Sequence, residues 1–173
     1  MIMPARDEWT GGAVISEDGR YRYSLWRHWW APGMLATRPC WIMLNPSTAD
    51  GMDDDPTIRR CARFSRDLGF GGMVVVNLYA RRATDPMDLA RDPEPEGPQN
   101  AGFISGNAAQ AQLVIAAWGR SGRSVPGYAA HCRYVRSMLR ALGVRLSVLA
   151  LNKDGSPAHP LYLPASLRPA EWS

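Results

Sequence analysis

The chain predicts an α/β fold: a three-layer sandwich with a central, mainly parallel four-stranded sheet, preceded by an N-terminal β-hairpin, in one domain over 1–173. Three observations lead there. Short apolar runs at Trp41–Leu44, Met73–Val76, Leu113–Ala117 and Leu146–Leu151 have the length of buried strands. Between them lie stretches whose apolar residues recur every three or four positions, and strand–helix alternation of this kind builds parallel sheets covered on both faces. Finally, 173 residues with 46% hydrophobic and 21% charged content suffice for one sizeable core.

The hairpin is expected over 13–26. Ala13–Ile15 and Tyr21–Leu25 flank Glu17-Asp18-Gly19, and Asp-Gly favours a tight turn. Tyr21, Tyr23 and Leu25 alternate with Arg20, Arg22 and Ser24, so the first set should be buried and the second solvated. The following Trp26-Arg27-His28-Trp29-Trp30 reads as a sheet edge packed on the core, with His28 structural. Its alternative is an aromatic, basic platform for bases.

Asp55-Pro56 supplies a helix cap and a first-turn proline. Ile58, Cys61, Phe64, Ser65 and Leu68 then mark a helix over Pro56–Leu68 that stops at Gly69 and turns Arg59, Arg60, Arg63 and Arg66 to solvent. Residues 80–99 form a loop with about one helical turn near Pro86–Ala90, a length that often carries function. A weaker helix spans Ala101–Ala111. A stronger one spans Tyr128–Leu142, with Ala129, Cys132, Val135, Met138, Leu139 and Leu142 on its apolar face and Gly143 as its stop.

Several function classes are disfavoured. Cys40, Cys61 and Cys132 are odd in number and form no CxxC pair, which argues against a disulfide framework and for a reducing, cytoplasmic setting. No apolar run approaches the ~18 residues of a membrane span, and residues 1–8 lack a signal-peptide core. The absence of a P-loop, GxGxxG, Ser–His–Asp order or His/Cys metal spacing leads to no expected cofactor or metal. The net charge of +4 comes almost wholly from arginine, since Lys153 is the only lysine. That fits a polyanionic partner, although genomic base composition accounts for it equally well.

Ligands of such sheets bind at the carboxyl ends of the strands. Those ends are Asn45-Pro46-Ser47, Asn77, Trp118-Gly119 and the loop Asn152-Lys153-Asp154-Gly155. Asn45 and Asn77 each follow an apolar run, and a buried amide suits the edge of a nucleobase. Bonding to the neighbouring loop backbone is the alternative. His159, between prolines in the last loop, suits an acid or electrostatic donor, and Lys153 is either a site cation or a solvated turn charge. Asp53-Asp54-Asp55 can hold a hard cation, but a helix cap is the simpler reading.

The segments Trp41–Asp50, Asp55–Arg60, Val76–Pro86 and Gly155–Leu163 closely resemble domain-of-unknown-function family 1643. A more distant resemblance is to the uracil-DNA glycosylases. In these an Asn-Pro or Asp-Pro motif follows the first core strand, as in Leu44-Asn45-Pro46-Ser47. A base-reading asparagine ends the next strand, as in Val74-Val75-Val76-Asn77, and a Trp-Gly ends the third, as at Trp118-Gly119. The Asn152–Pro160 loop resembles their fourth motif loosely, with His159 displaced beyond the strand end. The resemblance implies a uracil-DNA glycosylase-like fold, DNA as the partner and a flipped base in a pocket at the strand ends. It further implies that Asn77 reads the base, that Asn45 positions water and that His159 stabilises the departing base. Pro46, Ser47, Trp118, Asn152 and Lys153 complete the expected substrate contacts. The alternative function is a non-catalytic module that binds a nucleobase, nucleotide or nucleic acid in the same pocket. An enzyme acting on a free nucleoside or other small metabolite is a third reading.

Overall fold

A computed structural model describes residues 9–47 and 54–173. Its strands are β1 (Thr10–Ile15), β2 (Arg22–His28), β3 (Cys40–Met43), β4 (Gly72–Asn77), β5 (Val114–Ala116), β6 (Leu146–Val148) and β7 (Ala170–Glu171). Its helices are α1 (Pro56–Asp67), α2 (Pro86–Arg91), α3 (Asn100–Gln110) and α4 (Tyr128–Ala141). The strands form one sheet in the order β1-β2-β4-β3-β5-β6-β7. Its four central strands, β4, β3, β5 and β6, run parallel, and each flank is antiparallel.

The sheet is therefore wider than the four strands expected. The hairpin β1–β2 is not an appendage, because β2 pairs with β4 from Leu25↔Val75 to His28↔Gly72. At the other edge the tail returns as β7 beside β6. The helices make the outer layers. Ile58, Cys61, Ala62 and Phe64 of α1 pack with Trp41, Met43, Met73 and Val75 on one face. Ile104 and Ala108 of α3, with Val135 and Leu139 of α4, pack on Ile42, Val74, Val76 and Val114 on the other. Central parallel strands covered on both sides need no polar alternation, which is why β3, β4 and β5 read as unbroken apolar runs.

Three local expectations change. Arg22 and Ser24 are buried alongside Tyr21, Tyr23 and Leu25, since β2 is an interior strand and Phe103 of α3 stacks on Tyr23 at 4.9 Å. The arginine face of α1 is only partly solvated. Arg60 donates to the carbonyls of Pro160 and Leu163, and Arg66 lies over the rings of Trp9 and Trp29 at 3.9 and 4.7 Å. Leu142, expected on the buried face of α4, caps that helix and is exposed. In the run 26–30, Trp29 is buried with its indole N–H donating to Phe70 O, whereas His28 and Trp30 face solvent. No helix among the described residues is long and apolar enough to cross a membrane.

Candidate functional site

Parallel register sets the site. Cys40 stands opposite both Val74 and Val114, and Met43 stands opposite Asn77, so the carboxyl ends of β3, β4 and β5 finish at nearly one level. A cleft of about 240 Å³ opens there. Of the residues expected from the sequence, Asn45, Ser47, Asn77, Trp118 and His159 line it.

Asn77 ends β4 on the face covered by α1. It is 2% exposed, and its Nδ2 is buried with no hydrogen-bond partner among the described residues. A buried amide in that state forgoes about 1–3 kcal/mol of compensation, which an acceptor from a water molecule or a ligand in the cleft would restore.

Asn45 is committed differently. Its side chain contacts two backbone carbonyls, Ala83 O at 2.7 Å and Pro46 O at 3.1 Å, so the atom facing them must be the donor Nδ2. Bonding to the loop backbone, the alternative weighed for Asn45, holds for half of the amide; Oδ1 remains as its acceptor. Pro46 does not line the cleft. It is buried, and its carbonyl also accepts from Ala83 N–H at 3.0 Å, fastening the β3 loop to the loop after β4.

His159 reaches the cleft although it lies well beyond the end of β6. The chain turns back on itself: Leu151 bridges Pro157, Ala158 N–H donates to Ala150 O, and Asn152 Nδ2 donates to Ser156 Oγ, Ser156 O and Pro157 O. Gly119 N–H then donates to Pro157 O, setting His159 against Gly119. Gly119 has φ +71, and a Cβ there would lie 3.2 Å from His159 Cβ, so a side chain is excluded by conformation and by space. Asn152 thus builds the turn that delivers His159 and does not itself line the cleft, and Lys153 is exposed at the tip of that turn.

The imidazole is half-buried. Burial pushes its pKa down, against a smaller upward pull from Asp55. Its Nδ1 accepts the Leu161 N–H at 3.3 Å, which puts the proton of the neutral ring on Nε2.

The acidic run divides. Asp55 caps α1, its Oδ1 accepting from Ile58 N–H at 2.8 Å, while its Oδ2 accepts from Ser47 Oγ at 3.2 Å. Asp54 is buried against Arg27, with Oδ1 2.9 Å from Nε and 2.8 Å from Nη2. Asp50 and Asp53 lie outside the described residues. Among the described residues no group of three His, Cys, Asp or Glu could hold a metal.

Two site residues escape the sequence reading. Asp55 lines the cleft as well as capping α1. Arg22, 4% exposed, lines it from β2. Desolvation pushes the Arg22 guanidinium down to about 10, still charged at neutral pH, with Asp55 the acid that favours the charge. Nothing in a period-two pattern separates a buried arginine from a solvent-facing one. For Asp55, its place at the N-terminus of a helix starting at a strand end is the signal that could have found it.

The cleft thus offers a desolvated amide donor, a charged guanidinium, a carboxylate, a free amide oxygen and a neutral imidazole N–H around a space walled by Trp118 and Met43. That set can read the polar edge of a small planar heterocycle and hold a water molecule beside it. Residues 22–161 match the family described as a protein of unknown function, DUF1643, and the chain belongs to it. No curated protein and no solved structure is detectably similar to the chain.

Proposed function

We propose that the cleft binds a nucleobase and that the protein is uracil-DNA glycosylase-like, hydrolysing the N-glycosidic bond of uracil or a modified base in DNA. The reading rests above all on Asn77, whose buried and unpartnered amide N–H lies in a cleft of base-sized dimensions. A donor already stripped of water gains most from a ligand carbonyl and discriminates strongly against a ligand lacking one.

In this reading the base inserts against Trp118 and Asn77 takes its edge. Asn45 Oδ1 orients a water molecule, and the Asp55 carboxylate accepts its proton as the water oxygen bonds to the sugar carbon. The bond from that carbon to the base nitrogen breaks with its electron pair going to the base, and His159 Nε2–H steadies the negative charge that develops. The role of Asp55 is added to the expected scheme, because Nδ2 of Asn45 is held by the loop and only its oxygen is left for water.

The test is incubation with labelled strands containing uracil, hypoxanthine or hydroxymethyluracil, followed by strand scission at abasic sites. Product from the wild type, lost in Asn77→Leu, is expected. Asn77→Leu should leave the fold intact, since replacing an unpartnered buried amide with an apolar group of similar size is neutral or stabilising by about 1 kcal/mol. No abasic product from any of these strands sinks the catalytic reading. Saturable binding of base without turnover would instead favour a non-catalytic recognition module, for which the commitment of Asn45 Nδ2 to the loop is the specific support.

A further inference from the structure

A second concavity lies away from the cleft. Helix α4 begins beside the carboxyl end of β5, where Tyr128 Oη donates to Gly119 O, and runs back toward the start of β6. Between its second half, the loop into β6 and β7 is a groove of about 430 Å³. Arg133, Arg136 and Arg140 line it from α4 and Arg145 from the loop, with Glu171 and Trp172 on the opposite wall.

Four guanidinium groups line the groove against one side-chain carboxylate. Glu171 approaches Arg145 at 3.6 Å with both side chains largely exposed, which neutralises little. A helix whose last turn favours cations accounts for Arg140. It does not account for Arg133 and Arg136, further up the same face. The spacing of three and four residues places successive arginines about 4.5–6 Å apart along the helix axis, on the face that lines the groove. Arg136 is also pre-positioned: its Cζ lies over the half-buried Trp172 ring, 4.0 Å from the centroid, and Trp172 meets Trp118 edge-on at 5.6 Å. A guanidinium plane fixed on an indole offers both a phosphate fork and a stacking surface for a base.

We infer that this groove is a docking surface for the phosphodiester backbone of single-stranded nucleic acid. The inference does not depend on what the cleft does. The Arg136–Trp172 pair favours a nucleic acid over an acidic polypeptide, because every nucleotide that follows the phosphates carries a base that can stack there, whereas a run of acidic side chains carries no aromatic face.

The test is binding of fluorescein-labelled oligothymidylate to the full chain across a salt series, with circular dichroism as a check on folding. Neutralisation of three phosphates predicts a log–log salt slope of about −2. Arg133→Glu/Arg140→Glu, at exposed positions, should weaken binding about tenfold or more and flatten the slope, and Arg133→Gln/Arg140→Gln should do so by a smaller step. Arg63→Glu, a charge reversal at an exposed position on α1, should bind the strand as the wild type does. Excision that fails while strand binding follows this pattern counts against the cleft reading alone. Strand binding unaffected by the charge reversals overturns the groove. Competition by polyglutamate as effective as unlabelled oligothymidylate would overturn it in favour of an acidic protein partner.

Discussion

Asp55 closes the first turn of α1 and faces the cleft, and two substitutions separate those duties. Asparagine caps a helix about as well as aspartate, whereas alanine does not. Asp55→Asn should hold stability to within a few tenths of a kcal/mol, and Asp55→Ala should lose about 1 kcal/mol, by urea denaturation. If Asp55 takes the proton of the attacking water, both variants should lose abasic-site formation; retention in Asp55→Asn would show that the carboxylate is only a cap. His159 makes a pH prediction. Burial lowers its pKa, so below about 6.5 the unfolded chain takes up a proton that the folded chain does not. Its contribution is complete above that pH and is lost as the pH falls through and below it. From roughly pH 8 to pH 5 the wild-type melting temperature should fall more steeply than that of His159→Gln. Parallel curves would mean that the imidazole titrates as freely folded as unfolded.

Among the elements, the return loop after β6 is the least legible in sequence and among the most consequential. A period-two pattern ends at the strand, and nothing in Asn152–His159 announces that the chain doubles back. The doubling back comes from the three acceptors that Asn152 gathers and from Gly119 N–H meeting Pro157 O. Asn152 is the latch of that turn. Gly119→Ala should therefore cost about 1–2 kcal/mol for its left-handed backbone and also push His159 out of the cleft. Thermal unfolding reads the first effect, and, if the cleft excises bases as proposed, the pH profile of abasic-site formation reads the second. An alanine variant with wild-type stability would mean the backbone relaxes out of the left-handed region. Strands β3, β4 and β5 were legible for the opposite reason. Buried on both faces by α1, α3 and α4, they keep uninterrupted apolar runs.

Across the molecule, the two apolar clusters share one sheet, with Trp41, Met73 and Val75 facing one side while Ile42, Val74 and Val76 face the other. Neither layer can lose its packing without exposing strands that the other covers. A single unfolding transition is expected, with coincident circular dichroism and tryptophan fluorescence midpoints. Two separated midpoints would show that the hairpin side unfolds on its own. The buried Arg27–Asp54 pair ties β2 to the approach to α1, and Asp54→Ala should lower that common midpoint by the equivalent of about 3 kcal/mol, since it leaves a desolvated guanidinium without its carboxylate.

By itself, the sequence determined the α/β class, the central parallel strands, the capped start of α1 and the strand-end position of the candidate cleft. All of these follow from local periodicity, from caps and stops, and from the way parallel strands finish. Only the tertiary structure decided which polar residues share the cleft. Arg22 arrives there because β2 is an interior strand, His159 because its loop folds back, and Asn152 and Lys153 stay outside because that same fold-back consumes one side chain and exposes the other. Burial of a charge and the closing of a loop depend on partners distant along the chain, and no pattern within a window of neighbours encodes them.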